Sequence, residues 1–209
     1  MKNAIIWGAA GGIGKALAQI LVTENYTVVA VSRHPTVMKA ITPHVIATDV
    51  SQPAQVTAAA RMAGGMVPSF DLFLYTAGDI ASIKVAEMGS GDWNRILSAN
   101  LTGAFLTAQA SLPCLGPDAQ LVFLGAVQER LRLPGLSAYA AAKAGLEAFA
   151  EALRKETRRK TLVVRPSAVD TAFWSKVPFS MPANAIRSEA LADQIYAAIQ
   201  ERKDGLLDV

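Results

Sequence analysis

The chain has 209 residues, of which 52% are hydrophobic and 18% are charged. A chain of this length can bury one large core without disulfides or metals but has no room for a second domain of ordinary size, so we expect residues 1–209 to form a single domain. Its 20 basic and 17 acidic residues leave a formal charge of +3, which does not indicate a nucleic-acid-binding protein.

The scarcity of cysteine and histidine excludes further classes of protein. Cys114 is the only cysteine and cannot form an internal disulfide, and with His34 and His44 as the only imidazoles no zinc site is expected. No apolar run approaches the roughly 18 residues that a membrane span needs. We therefore expect a cytoplasmic protein with no metal and no membrane anchor.

Short aliphatic runs alternate along the chain with alanine-rich stretches of helical length, which is typical of a parallel α/β sheet. Several of these runs are apolar throughout, as strands covered on both faces must be. The predicted strands are residues 4–7, 27–32, 45–48, 72–75, 121–125, 161–165 and 206–209, and the predicted helices are residues 13–24, 53–63, 93–111, 138–159 and 188–202. The expected fold class is α/β, a Rossmann-type doubly wound sheet of seven parallel strands.

A glycine-rich loop, Gly8-Ala9-Ala10-Gly11-Gly12-Ile13-Gly14, joins the first predicted strand to the first predicted helix. Glycines here allow a tight turn and a close approach of the backbone to a pyrophosphate, and the free N–H groups at the helix start attract an anion. A glycine-rich turn without a ligand is the alternative, but the β-α-β setting favours a dinucleotide site.

Other motifs follow this loop along the chain. They are Asp49-Val50, Tyr75-Thr76-Ala77-Gly78, Asn100 within the segment WNRILSANLTGAF, Tyr139-Ala140-Ala141-Ala142-Lys143 and Arg165-Pro166-Ser167-Ala168-Val169-Asp170-Thr171. Together with the Gly-x-x-x-Gly-x-Gly spacing of the loop, they resemble the short-chain dehydrogenase/reductase family over residues 3–209.

The resemblance implies a nicotinamide dinucleotide as cofactor and a small carbonyl or alcohol compound as substrate. It implies Tyr139, Lys143 and Asn100 as catalytic residues, with Lys143 on the nicotinamide ribose and Asn100 supporting a water that links Lys143 to solvent. The implied cofactor-binding residues are Gly8, Gly12, Ile13, Gly14, Ser32, Arg33, Asp49, Val50, Ala77, Gly78, Asn100, Tyr139, Lys143, Pro166, Val169 and Thr171. A homodimer or homotetramer, paired through the helices around Asn100 and Tyr139, is also implied.

The spacing of Tyr139 and Lys143 suits proton transfer. Four residues apart, they project from the same face of a helix. A tyrosine with a pKa of about 10 is a poor base at neutral pH, and a nearby ammonium favours the phenolate. In the reducing direction Tyr139 would donate its proton to a carbonyl oxygen. Without the other motifs, such a pair would be an ordinary surface pair.

The end of the second strand bears on the choice of nucleotide. An acid there would accept a hydrogen bond from a free ribose 2′-hydroxyl and repel a phosphate, but this chain has Ser32-Arg33. A guanidinium pairs with a phosphate, so NADP(H) is expected over NAD(H). A solvated surface arginine is the alternative.

The chain departs from the family's pattern after the fifth strand. The family has a serine there that hydrogen-bonds the substrate oxygen, and this chain has Ala126. Loss of one donor to a developing oxyanion costs about 3 kcal/mol, or roughly 10²- to 10³-fold in rate. An active reductase would use Gln128, Ser137 or an ordered water instead, whereas a nucleotide-binding protein with little turnover would act as a redox sensor or assembly partner. A purely structural role does not account for the retained tyrosine, lysine and asparagine.

Three smaller features complete the sequence-based expectations. Trp7 replaces the family's threonine before the first glycine and is predicted to pack locally in the core. The four large residues Phe173, Trp174, Phe179 and Met181 indicate either an apolar substrate pocket under a small lid or anchors of a short loop. The basic residues at 154–160 are predicted to be a solvated helix end.

Overall fold

The structure is a computed structural model that describes residues 1–209. The strands are β1 Asn3–Trp7, β2 Thr27–Ser32, β3 Val45–Ala47, β4 Phe70–Tyr75, β5 Leu115–Leu124, β6 Thr161–Arg165, β7 Val169–Asp170, β8 Ile186–Arg187 and β9 Gly205–Asp208. The main sheet has seven parallel strands in the order β3-β2-β1-β4-β5-β6-β9, and β7 pairs with β8 in a separate parallel ribbon. The predicted fold class and the seven-stranded parallel sheet are therefore confirmed.

Helices cover both faces of this sheet. They are α1 Gly12–Thr23, α2 Pro53–Gly64, α3 Ser90–Leu97, α4 Gly103–Ser111, α5 Ser137–Thr157 and α6 Ser188–Gln200. On β1, Ile5 and Trp7 pack into a core beneath α2, α4 and α5, while Ala4 and Ile6 pack into a second core beneath α1 and α6. This two-sided burial explains why the central strands lack a polar face.

Several local features differ from the sequence-based expectations. β5 begins at Leu115, six residues before the predicted start at 121. The predicted helix at 93–111 is divided by a π-helical turn, Ser98–Thr102, between α3 and α4. Ser51, whose hydroxyl and position before Pro53 predict a helix cap, does not cap α2: its main-chain N–H donates to Asp49 Oδ1, and Gln52 occupies the cap position without a side-chain bond. The ribbon of β7 and β8 was not predicted, because each strand has only two residues.

The strand order determines where a ligand site lies. The chain leaves β1 towards β2 and β3 on one side and returns to place β4 on the other side, so the carboxyl ends of β1 and β4 adjoin at the point where the winding reverses. In doubly wound sheets a crevice opens at that point. The loops after β1, β4, β5 and β6 surround it here.

Candidate active site

The glycine loop after β1 packs tightly against the end of β4. Gly8 has a φ of +92°, and a Cβ atom there would lie 2.3 Å from the main-chain nitrogen of Ala77. A Cβ atom on Gly14 would lie 2.5 Å from the carbonyl oxygen of Gly8. The cap of α1 is Gly11, which has no side chain to bond the first amides of the helix. Larger residues at positions 8 and 14 are therefore incompatible with this loop.

Trp7 and Thr76 join the two strand ends. The Trp7 indole is fully buried, as predicted, and donates from Nε1 to Ser111 Oγ at 3.3 Å. The Thr76 hydroxyl donates to the Trp7 carbonyl oxygen at 3.1 Å. The hydroxyl of the residue that follows β4 thus ties the end of β4 to the end of β1, although position 7 itself carries no hydroxyl.

A cavity of about 520 Å³ opens at the carboxyl ends of the strands. It brings together many of the predicted site residues, namely Gly12, Ile13, Ala77, Gly78, Tyr139, Lys143, Pro166, Val169 and Thr171. Gly8, Gly14, Ser32, Arg33, Asp49, Val50 and Asn100 lie outside its lining. Most of the lining is apolar, and none of it is acidic.

Tyr139 and Lys143 meet inside this cavity on α5, and both are buried. Lys143 Nζ lies 5.6 Å from the centre of the Tyr139 ring and donates to the main-chain oxygen of Leu124 at 2.7 Å. Burial lowers the pKa of Lys143 to about 8, although the charge of Glu147 opposes the shift. Burial raises the pKa of Tyr139, because the charged phenolate is desolvated. This direction is opposite to the one expected from its lysine neighbour, whose ammonium donates to the Leu124 carbonyl oxygen.

Asn100 lies in the π-helical turn and is fully buried. Its Nδ2 donates to the main-chain oxygens of Asp79 at 2.6 Å and Ile96 at 2.8 Å. Its Oδ1 is buried without a partner and would lie 2.9 Å from a Cβ atom on Gly78. The amide is thus held at its nitrogen, and its oxygen is left free to accept a hydrogen bond beside the cavity wall.

The segment after β5 contributes Gly125 and Ala126 to the cavity lining. The two side chains considered as replacement donors are elsewhere: Gln128 donates to Glu147 Oε1 at 2.8 Å, and Ser137 Oγ is buried without a partner. Neither residue lines the cavity. Besides Tyr139, the hydroxyl-bearing residues that line it are Thr76, Ser167, Thr171 and Ser180, and the Thr76 hydroxyl already donates to the Trp7 carbonyl oxygen.

The opposite end of the predicted nucleotide site lies beyond β2 and β3. Arg33 is exposed and makes no ion pair, while Ser32 Oγ is buried without a hydrogen-bond partner. Burial alone would raise the pKa of Asp49, but hydrogen bonds from Ser51 and the charge of Arg33 outweigh it and lower that pKa. Val50 is buried and packs into the core with α2 and α4.

The segment after β7 forms one wall of the cavity. A 3-10 turn, Ala172–Lys176, carries Phe173 and Trp174 into the lining, and Phe179 follows them. Met181, which was predicted with them, is 44% exposed and does not line the cavity. Three of the four large residues therefore form an apolar wall.

The sequence reasoning missed the residues that line the cavity between β5 and α5. Arg130, Leu131, Leu133 and Leu136 come from this connection. Their position after a strand at the carboxyl edge was the available signal, but the segment has no motif or periodicity. No group of three or more histidine, cysteine or acidic side chains is arranged to hold a metal ion, and no helix combines the length and apolarity needed to cross a bilayer.

Comparison with known proteins gives the following matches. The family model described as short chain dehydrogenase matches residues 2–180. An uncharacterized oxidoreductase of Staphylococcus aureus strain MRSA252 is 26% identical over 183 residues, which cover 82% of this chain and 79% of that protein. A 2-dehydro-3-deoxy-L-rhamnonate dehydrogenase (NAD(+)) of Sphingomonas sp. strain SKA58 is 28% identical over 190 residues, which cover 86% of this chain and 76% of that protein.

Among solved structures, an alcohol dehydrogenase of the archaeon Thermococcus sibiricus, complexed with 5-hydroxy-NADP, has a TM-score of 0.91 and 20% sequence identity. The superposition covers 100% of this chain and 96% of that chain. At this level of identity the likeness establishes the fold.

Proposed function

The chain belongs to the short-chain dehydrogenase family, and on that premise we propose that it is an NADP(H)-dependent oxidoreductase that interconverts an apolar carbonyl compound and its alcohol. The observation that carries the proposal is the convergence of the glycine loop, Tyr139 and Lys143 on one cavity. Residues 1–209 would act as one nucleotide-binding domain.

The residues around the cavity fit a nicotinamide dinucleotide. Gly12 and Ile13 present the start of α1 to the cavity, where free amides suit a pyrophosphate. Lys143 is suited to hold the nicotinamide ribose. Val169 and Thr171 line the wall beside Lys143, and the orphaned Ser32 hydroxyl and the unpaired Arg33 are suited to the adenosine ribose and a 2′-phosphate.

The proposed proton transfer uses this chain's own side chains. When bound, the reduced nucleotide supplies a hydride to the carbonyl carbon. Tyr139 donates its hydroxyl proton to the carbonyl oxygen, and a charged Lys143 nearby stabilises the phenolate that remains. The free Oδ1 of Asn100 would hold a water through which the lysine exchanges protons with solvent. Ala126 and Gly125 offer the substrate oxygen no side-chain donor, so Ser167, Thr171 and Ser180 are the lining hydroxyls available to assist beside Tyr139.

Turnover tests this function. We expect wild-type protein to oxidise NADPH in the presence of apolar aldehydes or ketones, and Tyr139→Phe to lower kcat by at least about 10²-fold because the proton donor is gone. Tyr196→Phe is the matched control, since the Tyr196 hydroxyl bonds to Glu24 on the outer face. Equal kcat values for wild type and Tyr139→Phe would exclude tyrosine as the acid.

The preference for NADP(H) is proposed from Arg33. Replacing it by alanine should weaken NADPH binding about tenfold, as expected for one charge-assisted contact, while leaving NADH binding unchanged. Arg61, which is exposed on α2 and makes no ion pair, provides the control Arg61→Ala. Fluorescence titration with NADPH and NADH measures the difference between the variants. An unaltered NADPH affinity in Arg33→Ala would mean that the guanidinium faces solvent and does not bind the 2′-phosphate.

A second candidate function is a nucleotide-binding protein with little turnover, serving as a redox sensor or assembly partner. The absence of a donor at Ala126 and the bond from Lys143 to the Leu124 carbonyl favour it. This candidate predicts tight NADPH binding with no NADPH oxidation across a broad carbonyl panel. Any Tyr139-dependent turnover in the wild type would exclude it.

Self-association and location are part of the proposal. Phe105 on α4 is 43% exposed and stacks edge-on with Phe149 on α5, which leaves an apolar strip on the outside of these helices. We propose that this strip pairs two copies in a homodimer or homotetramer, to be tested by light scattering. The single free Cys114 suits a cytoplasmic setting.

A further inference from the structure

Asp79 is a buried carboxylate that receives two cations. It lies four residues beyond the end of β4, next to Gly78, and is only 8% exposed. Its Oδ1 accepts a hydrogen bond from Lys176 Nζ at 2.6 Å, and its Oδ2 pairs with Arg95 on α3. Both carboxylate oxygens are therefore used, and they join two elements that are far apart in the sequence.

The lysine partner belongs to the apolar wall of the cavity. Lys176 ends the 3-10 turn Ala172–Lys176, and its Nζ lies 5.6 Å from the centre of the Phe173 ring. Phe173 in turn packs against the small cluster that contains Ile96 and Tyr139. Holding Lys176 in place therefore fixes the Phe173 ring beside the proposed proton donor.

The main chain of Asp79 reaches the remaining site residue. Its carbonyl oxygen accepts the bond from Asn100 Nδ2, and a Cβ atom on the preceding Gly78 would approach both Asn100 Oδ1, at 2.9 Å, and Phe173 Cζ, at 3.4 Å. The same short segment thus contacts the turn on one side and the asparagine on the other.

We propose that Asp79 is a positioning residue for the substrate pocket: through Lys176 it holds the turn Ala172–Lys176 closed over the cavity, in register with Asn100 and Tyr139. Exposed ion pairs contribute little by themselves, but this carboxylate is largely withdrawn from water, and removing it takes away the ion pair that ties the turn to the segment after β4. In this role Asp79 determines how well the pocket wall fits a substrate, but Asp79 itself does not contact the substrate.

Accessibility of Trp174 tests the proposal directly, because this indole lies in the same turn. In a Trp93→Phe background the other tryptophan is Trp7, which is fully buried, so acrylamide quenching reports mainly on Trp174. Asp79→Asn and Lys176→Met should each raise the quenching constant at least twofold, and the double variant should not exceed the larger single effect. Lys176→Arg should restore the parent value.

Lys155→Met is the matched control, since Lys155 forms a lysine–carboxylate pair with Glu151 on the exposed side of α5. It should leave quenching unchanged. The Lys176→Met variant tests the link even if Asp79→Asn fails to fold, because the Lys176 side chain is 45% exposed. Parent-like quenching in Lys176→Met would overturn the proposal.

A kinetic measurement extends the test and rests on the proposed function. With a carbonyl substrate, Asp79→Asn and Lys176→Met should raise KM about tenfold and change kcat by less than threefold, whereas a purely structural role would lower the active fraction and hence kcat alone. A loss confined to kcat would overturn the proposal. If no variant turns over, the quenching result still decides the proposal, and only the proposed function fails.

Discussion

The two halves of the cavity differ in how they are built. On the glycine-loop side, the wall consists of strand ends and the start of α1, held by main-chain contacts such as that of Gly8 with Ala77. On the substrate side, the wall consists of the connection between β5 and α5 and the 3-10 turn after β7, whose large side chains line the cavity. The first half tolerates few substitutions, whereas the second half can change its shape to suit a substrate.

The largest expected effect comes from adding a Cβ atom to the glycine-loop half of the cavity, where main-chain contacts leave no space for it. Gly8→Ala places a Cβ atom 2.3 Å from Ala77 and should lower the free energy of unfolding by about 3–5 kcal/mol and abolish nucleotide binding. Gly205→Ala is the control, because Gly205 also has a positive φ, +87°, but open space around it, and it should cost only about 1 kcal/mol. Chemical denaturation measures both values. Equal losses would mean that the contact with Ala77 does not hold the loop.

The next effect concerns the side-chain-built half. If Ala126 occupies the position of the missing donor, Ala126→Ser should raise kcat by about 10²- to 10³-fold on substrates that wild type reduces slowly. Ala172→Ser adds a hydroxyl elsewhere on the same cavity lining and should change kcat by less than about threefold. A rate that stays flat in Ala126→Ser, with NADPH binding intact, would show that position 126 does not face the reacting oxygen.

The smallest expected effect is a pH dependence of the free energy of unfolding, which arises from the buried Lys143 between the two halves of the cavity. Because burial lowers the Lys143 pKa from 10.5 to about 8, the unfolded chain binds more protons between these values, and this group makes stability rise with pH there. From pH 8 to 10 the rise is roughly 2 kcal/mol. The raised pKa values of Tyr75 and Tyr139 act in the opposite direction, but only above about pH 10.

Urea unfolding at pH 8 and pH 10 measures this contribution as a difference between variants. Lys143→Met should lose the rise, and Lys155→Met should keep it. If the free energy of unfolding of wild type and Lys143→Met changed in parallel with pH, the claim that burial lowers the pKa of Lys143 would be contradicted.

The same contrast explains what the sequence could predict. Two strands have the predicted bounds, 27–32 and 161–165. Their sequences are rich in β-branched residues, which favour a strand over a helix. The glycine loop, Tyr139 and Lys143 were identified because local geometry requires those residue types at those spacings. Their convergence on one cavity follows from the parallel topology.

The rest depended on tertiary contacts that no local pattern encodes. Nothing in the sequence around Asp79 indicates Lys176, which lies 97 residues away, as its partner. The pKa of Tyr139 was expected to fall with the spacing to Lys143, but burial, which depends on the whole pocket, outweighed the charge of that neighbour. Arg130 lines the cavity from a connection without periodicity, so only the fold revealed it.

The most direct test of the account is a calorimetric titration of the wild-type protein with NADPH. The account predicts binding of one nucleotide per chain with a micromolar or tighter dissociation constant. The absence of any heat of binding would contradict the claim that this cavity holds a nicotinamide dinucleotide beside Tyr139.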